Sequence, residues 1–356
     1  MEHIIGLSII SNLDSMRVIR KPRTYGAKAN FFEEYDEYTF VKRFRLSKKS
    51  ALYIFEKIQR KIRNYTQRNH ALSPLEMLLL ALRFYASGSF LITVADFCGV
   101  STSTASRVVK RVSYAIAELS REYIKMPKSS AELEIVNRSF HRIANFPKVV
   151  GCIDCTHVKI QSPGGVNAEI FRNRKGYFSY NVQAVCNANL EITDLVCRWP
   201  GSAHDANIFN NSRIKHRFEL NQFKDCFILG DSGYGVSRYM MTPLLHPNTA
   251  AERLYNESQI RTRNCVERCF GVWKRRFPVL SAGLRVSQNT VMAVIVACGV
   301  LHNIARQNRD ADPSEEENFT AEESTENAME ADESTTETPG VSFMRSSLIR
   351  DYFASL

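Results

Sequence analysis

GCIDCTHVKI, residues 151–160, sets one aspartate between two cysteines in a run of apolar and β-branched residues. Two chemistries compete for it. A Cys-x-x-Cys followed by His suggests zinc, whereas a carboxylate in the middle of a strand suggests a hard cation and phosphate. Alternation weighs against zinc. In an extended chain Cys152, Asp154, Thr156, Val158 and Ile160 share one face, while Ile153, Cys155, His157 and Lys159 share the other. Cys152 and Cys155 then point to opposite sides of the sheet and cannot both reach one zinc at about 2.3 Å. Asp154 remains, and a charged carboxylate in a central strand is costly unless it is paired or holds a cation. Read alone, the strand leaves a structural salt bridge to a nearby arginine open beside a metal.

Around this strand the hydrophobic period reads as extended from residue 149 to 199, with strands at 149–160, 177–186 and 190–199. The last two are joined as a hairpin at Asn187-Ala188-Asn189. A helix follows at about 204–217, capped by Ser202, then a short apolar strand at 226–230 that stops at Asp231. Helices at about 256–276 and 289–306 complete a β-β-β-α-β-α order, the mark of a mixed α/β sheet with helices on its faces.

Two further acids join Asp154. Asp231, in ILGDSGYG, sits just past the C-terminal end of a strand, where ligands of open α/β sheets gather and glycines let the chain turn. Glu267, in NCVERCFGVWKRRF, lies mid-helix with Asn264 and Gly271 on its face. Glycine costs about 1 kcal/mol in a helix interior, so Gly271 suggests a close backbone approach. Carboxylates brought together repel and push one pKa upward, a penalty that a divalent cation reverses. All-oxygen ligands favour Mg²⁺ or Mn²⁺.

Upstream the chain reads as helical. Lys42 to Arg63 holds nine Lys/Arg against the single acid Glu56, with Ser47 as N-cap and Leu52, Phe55, Ile58 and Ile62 at helical spacing. Ser73-Pro74 opens a second helix running to Gly88. In residues 89–119 a short helix ends at Gly99 and Ser101 caps another. Its buried stripe is Ala105, Val108, Val109, Val112, Ile116 and Leu119, and its outward face carries Ser103, Ser106, Arg107, Lys110 and Arg111. A helix, a glycine turn and a basic helix suit a helix-turn-helix, with Arg107, Lys110 and Arg111 on DNA phosphates. An ordinary helical pair has the same pattern.

Charge supports a polyanion partner. The chain carries +10, but residues 307–356 hold 3 Lys/Arg against 13 Asp/Glu, which leaves 44 against 24 before them. Nine scattered cysteines point to a reducing compartment rather than a disulfide framework. No membrane partner is expected, because the apolar run Val291 to Leu301 is short of the roughly 20 residues a span needs. These patterns divide the chain into an N-terminal segment (1–39), an all-α helix-turn-helix domain (40–126) and a linker with one short helix (127–147). A catalytic domain (148–306), an acidic disordered tail (307–341) and a short terminal docking segment (342–356) follow.

GCIDCTHVKI, PGSAHDANIF, ILGDSGYG and NCVERCFGVWKRRFPVL resemble, in order, the signature blocks of the PIF/Harbinger-type DDE transposases, over roughly residues 40–306. The resemblance implies an RNase H-like catalytic domain, and the 35 residues between Asp231 and Glu267 match a spacing familiar in such enzymes. It makes Asp154, Asp231 and Glu267 the catalytic triad and Asp205 a further metal ligand, although Asp205 equally suits a helix N-terminus. His157 and His204 are given structural roles. Where that family usually has glycine after the first aspartate, this chain has Cys155, expected to disturb packing more than metal binding. A two-metal mechanism on DNA phosphodiesters is implied, with Lys274, Arg275 and Arg276 holding the backbone, a Myb-like partner protein and a nuclear location. Two other readings stay open: a domesticated DNA-binding protein that no longer cuts, and a Mg²⁺-dependent phosphatase or RNase.

Overall fold

Val149–Lys159 forms the long central strand β1, and its buried residues split between two cores, alternating from Cys152 onward after a register shift between Val149 and Gly151 that puts Val149 in the core of Cys152. The computed structural model describes residues 30–64, 71–313 and 339–356. β2 (Ser179–Cys186) pairs antiparallel with β1 and with β3 (Ile192–Pro200). The β2–β3 hairpin closes through Asn187, whose Oδ1 accepts the amides of Asn189 and Glu191, both at 3.0 Å. Leu190 takes φ +62° there, so β3 begins at Ile192 rather than at residue 190.

Two short helices follow, α9 (Asp205–Asn210) and α10 (Arg213–Glu219). The single helix expected at 204–217 breaks because Ser212 Oγ accepts the Lys215 amide at 3.2 Å and caps a fresh start. β4 (Phe227–Leu229) and β5 (Met240–Met241) then add parallel strands, giving the sheet order β3-β2-β1-β4-β5. β5, two residues long, carries too little pattern to be expected from sequence. The long helix α11 (Ala250–Arg276) starts six residues earlier than expected, fixed by a capping box between Thr249 and Glu252. The short α12 (Val279–Ala282) and the 20-residue α13 (Gln288–Gln307) complete this half.

Before the sheet come α1 (Phe31–Glu34), α2 (Glu37–Phe44), α3 (Lys48–Ile62), α4 (Pro74–Ser87), α5 (Leu91–Phe97), α6 (Thr102–Ala117), α7 (Ser120–Tyr123) and α8 (Ser130–Ala144). In α3 the buried stripe is Ala51, Ile54, Ile58 and Ile62. Leu52, expected inside, is exposed, because the helix is rotated so that small Ala51 meets its neighbours. The turn between α5 and α6 uses Gly99 at φ +62°, and Ser101 caps α6 as its sequence requires. The inner face of α6 packs on α13, so the N-terminal helices and the sheet share one continuous hydrophobic core. α13 is apolar because that core surrounds it; Asn303 there bonds both the N–H (2.8 Å) and the C=O (2.6 Å) of Ile192 on β3.

Most of the acidic stretch, residues 314–338, lies outside the described residues. The terminal segment forms α14 (Pro339–Asp351) and a 3₁₀ turn at Phe353–Ser355. It docks on its own chain: Phe353 is buried between Phe146 and Tyr255, with ring centroids 5.5 Å from each.

Candidate active site

Asp154 is 7% exposed at the middle of β1, opposite Ala184 of β2 and on the face covered by α11. Its Oδ1 accepts the Cys155 amide at 2.7 Å, and its Oδ2 stands 3.4 Å from Arg263 Nη1 on α11. Burial, followed by the charge of Asp231, raises its pKa from 3.8 to about 7; Arg263 opposes the rise and Asp205 adds to it. Asp154 is therefore an acid whose charge the surrounding protein only partly compensates.

Asp231 follows β4 at the end of the strand, where the Gly233 amide donates to its Oδ1 at 3.0 Å and fixes a tight turn. Gly230 is required here for closeness rather than for φ: a Cβ would lie 2.9 Å from the Tyr234 ring and 3.0 Å from Met240 Sδ. Asp205 opens α9. Asn181 of β2 donates to its Oδ1 at 2.8 Å and to the Ala203 carbonyl at 2.8 Å, which holds the aspartate toward the sheet. Burial is the main cause of its raised pKa, countered by the Asn181 hydrogen bond and reinforced by Asp231. Glu267 projects from α11 half exposed, and its Oε1 accepts from Arg263 Nη2 at 2.6 Å.

The structure thus brings Asp154, Asp205 and Asp231 within one another's fields and ties Glu267 to Asp154 through a shared arginine. Among the described residues no three donors stand at metal-holding separation; Arg263 engages two of these carboxylates and Asn181 a third. The donor set nonetheless fits a hard divalent cation: all the candidate donors are carboxylate oxygens, and the buried member is only partly compensated by positive charge. Thiols are not candidates. Cys152 lies in the α11 core against the Thr262 carbonyl, near Cys186, Cys265 and Cys269, whereas Cys155 faces Tyr234 Oη at 3.4 Å on the other side of the sheet.

Cys155 packs on the face away from Asp154, as alternation requires, and also meets a second acid. Its thiol borders Asp205 as well as Tyr234, and burial with the Asp205 charge pushes it well above the usual thiol range. The substitution after Asp154 therefore touches a candidate ligand. Gly271 also differs from expectation: a Cβ there would meet only the Arg275 guanidinium, at 3.4 Å, so no neighbouring backbone demands glycine. His157 Nδ1 lies 3.0 Å from Ser179 Oγ, and His204 Nδ1 lies 2.9 Å from Arg174 Nη2.

The basic residues separate into two groups. Arg107 and Lys110 stand exposed on α6. Arg111 turns back to the end of α3, donating to Asn64 Oδ1 at 3.0 Å and to the Arg63 carbonyl. Lys274 is buried and donates to the His157 carbonyl at 3.1 Å, and Arg275 is half-buried over Gly271. The Arg276 side chain is 1% exposed and binds the Arg45 carbonyl at 3.1 Å and Asp312 at 3.0 Å. The end of α11 is thus built into the core rather than offered as an open cationic face. Sequence reasoning missed Arg263 and Arg174; the i, i+4 spacing of Arg263 and Glu267 was the available signal for the first.

Residues 153–303 match a family described as DDE superfamily endonuclease. The chain is 33% identical over 273 residues to the Homo sapiens protein named "Putative nuclease HARBI1", a match covering 76% of this chain and 78% of that one. The Bos taurus protein of that name matches to the same extent. "Protein ALP1-like" of Arabidopsis thaliana is 24% identical over 294 residues, 76% of this chain and 71% of its own. No solved structure matches the chain. With the acids of the motif blocks gathered around one mixed sheet, the chain belongs to the Harbinger-derived DDE nucleases.

Proposed function

We propose that this protein is a divalent-metal-dependent nuclease acting on DNA phosphodiester bonds, with Asp154, Asp231 and Glu267 as catalytic carboxylates and Asp205 as a further ligand. The observation that carries this reading is Asp154: a central-strand acid with two more aspartates bearing on it and one arginine as counter-charge. A divalent cation relieves the repulsion within such a cluster at a pH where its carboxylates are ionised.

Mg²⁺ or Mn²⁺ held by these carboxylates would lower the pKa of a water or a 3′-hydroxyl and stabilise the leaving oxygen. The chain's own contribution is position. The β1–β2 ladder fixes Asp154 opposite Ala184, just past the end of the β1–β4 ladder at Cys152, the Asx turn fixes Asp231, and Asn181 fixes Asp205. Arg107 and Lys110, exposed on the second helix of the α5–turn–α6 unit, are the candidates for phosphate contacts. Nuclear residence and a Myb-like partner accompany this reading. The terminal segment is a poor seat for that partner, since α14 and Phe353 are already applied to this chain's own surface.

The test is cleavage of duplex DNA in Mg²⁺ or Mn²⁺ by the wild type and by Glu267→Gln. Activity in the first and its loss in the second is expected. Equal activity in both would remove these residues from the reaction. No cleavage by either, with DNA binding retained, would identify a binding module that keeps the fold.

A further inference from the structure

Arg263 joins two carboxylates that are 113 residues apart in the chain. One turn before Glu267 on α11, it makes the i, i+4 pair that helices favour, at 2.6 Å. It also reaches off its own helix to Asp154 on β1, at 3.4 Å. The two contacts use different nitrogens, Nη2 for Glu267 and Nη1 for Asp154, so a single guanidinium bridges them. Its side chain is only 16% exposed, which excludes an incidental surface pair. Both oxygens it engages belong to the acids proposed as metal ligands.

We infer that Arg263 is a built-in counter-cation that occupies Asp154 and Glu267 when no divalent ion is bound and must be displaced for one to bind. This rests on the proposed metal-dependent function. A carboxylate oxygen that accepts a hydrogen bond from a guanidinium has less charge and lone-pair capacity left for a metal, and the positive guanidinium repels an incoming divalent ion, so the two cations compete for the same carboxylates. Like-charged acids would otherwise repel across the β1–α11 interface, and the arginine limits that repulsion. Its contact to Asp154, at 3.4 Å, is the longer of the two, so that carboxylate is the less fully compensated. Arg263 therefore acts as a positioning residue: it holds α11 against β1 and sets the metal concentration at which the site loads.

The test is titration of the full chain with MnCl₂, followed by the electron paramagnetic resonance of free Mn²⁺, for wild type, Arg263→Gln and Arg263→Lys. Removing a competitor should tighten binding: Arg263→Gln is expected to bind Mn²⁺ roughly tenfold more tightly, equivalent to about 1.4 kcal/mol. Arg263→Lys keeps the charge but not the fork and should fall between the two. In EDTA, Arg263→Gln should melt below wild type and gain more from added Mn²⁺. Arg263→Gln binding equal to or weaker than wild type would overturn the inference while leaving the metal site standing. Arg263→Lys equal to wild type would overturn the two-carboxylate bridge, because charge alone would then suffice. Should the glutamine variant fail to fold without metal, the lysine variant decides by the same comparison. Absence of Mn²⁺ binding in all three would overturn both this inference and the proposed function.

Discussion

Replacing Asp154 by asparagine should stabilise the metal-free protein at neutral and alkaline pH. The folded-state pKa is raised from 3.8 to about 7, by burial first and by Asp231 second. A raised pKa means that the native state keeps its proton over a range in which the unfolded chain has lost it. The associated stability is complete below about pH 4 and is lost as pH rises through about 7. Three units at about 1.4 kcal/mol each make the ionised form cost roughly 4 kcal/mol above pH 7. Asparagine keeps the shape without that cost. It also gives up the 3.4 Å contact with Arg263, which keeps its Glu267 partner and so subtracts only part of the gain. Urea unfolding in EDTA at intervals from pH 4.5 to 8 should show the variant gaining on wild type by a few kcal/mol across that window. Added Mn²⁺ should reverse the order at pH 8. A difference between the two proteins that does not change with pH would refute the reasoning, because the penalty would then not reside in the carboxylate charge.

Three more outcomes follow from the geometry. Arg276→Ala leaves the Arg45 and Ala311 carbonyls without their donor, while Asp312 keeps Arg306 at 2.6 Å, so urea unfolding should show a loss of about 2 kcal/mol from the two orphaned carbonyls and the lost packing. Its DNA affinity should change only as far as folding does; a selective loss of binding would return Arg276 to the interface. Arg107→Ala and Lys110→Ala lie on an exposed face and should each reduce the salt slope of DNA binding by about 1, with stability unchanged within about 0.5 kcal/mol. Phe353→Ala empties a site between Phe146 and Tyr255 and should cost about 3 kcal/mol locally, seen as faster hydrogen exchange in α14 without change in β1.

What the sequence disclosed depended on how local the signal was. The alternation of 149–160 gave the central strand and the facing of Asp154, and the halt of an apolar run placed Asp231 at a strand end. Ser47, Ser73 and Ser101 marked their helix starts because a cap is written within four residues. Errors arose wherever a residue answers to a distant neighbour. Arg276 reads as a surface cation until Asp312 closes over it, and Leu52 reads as core until the rotation of α3 is set by the helices around it. Gly271 looked like a point of close approach, yet its face meets only Arg275. Arg263 was missed although it stands at i, i+4 spacing from Glu267, and its second contact needs β1 and α11 to be packed together first. The four acids were legible through motif blocks; the arginine between two of them and the thiol of Cys155 beside a third were not.

The most direct test of the central claim is the anomalous scattering of Mn²⁺ in crystals of the full chain. The account predicts manganese bound among Asp154, Asp205, Asp231 and Glu267, at oxygen distances of about 2 Å, with the Arg263 guanidinium moved off both carboxylates. Manganese found elsewhere, or carboxylates still held by Arg263 at saturating metal, would contradict it.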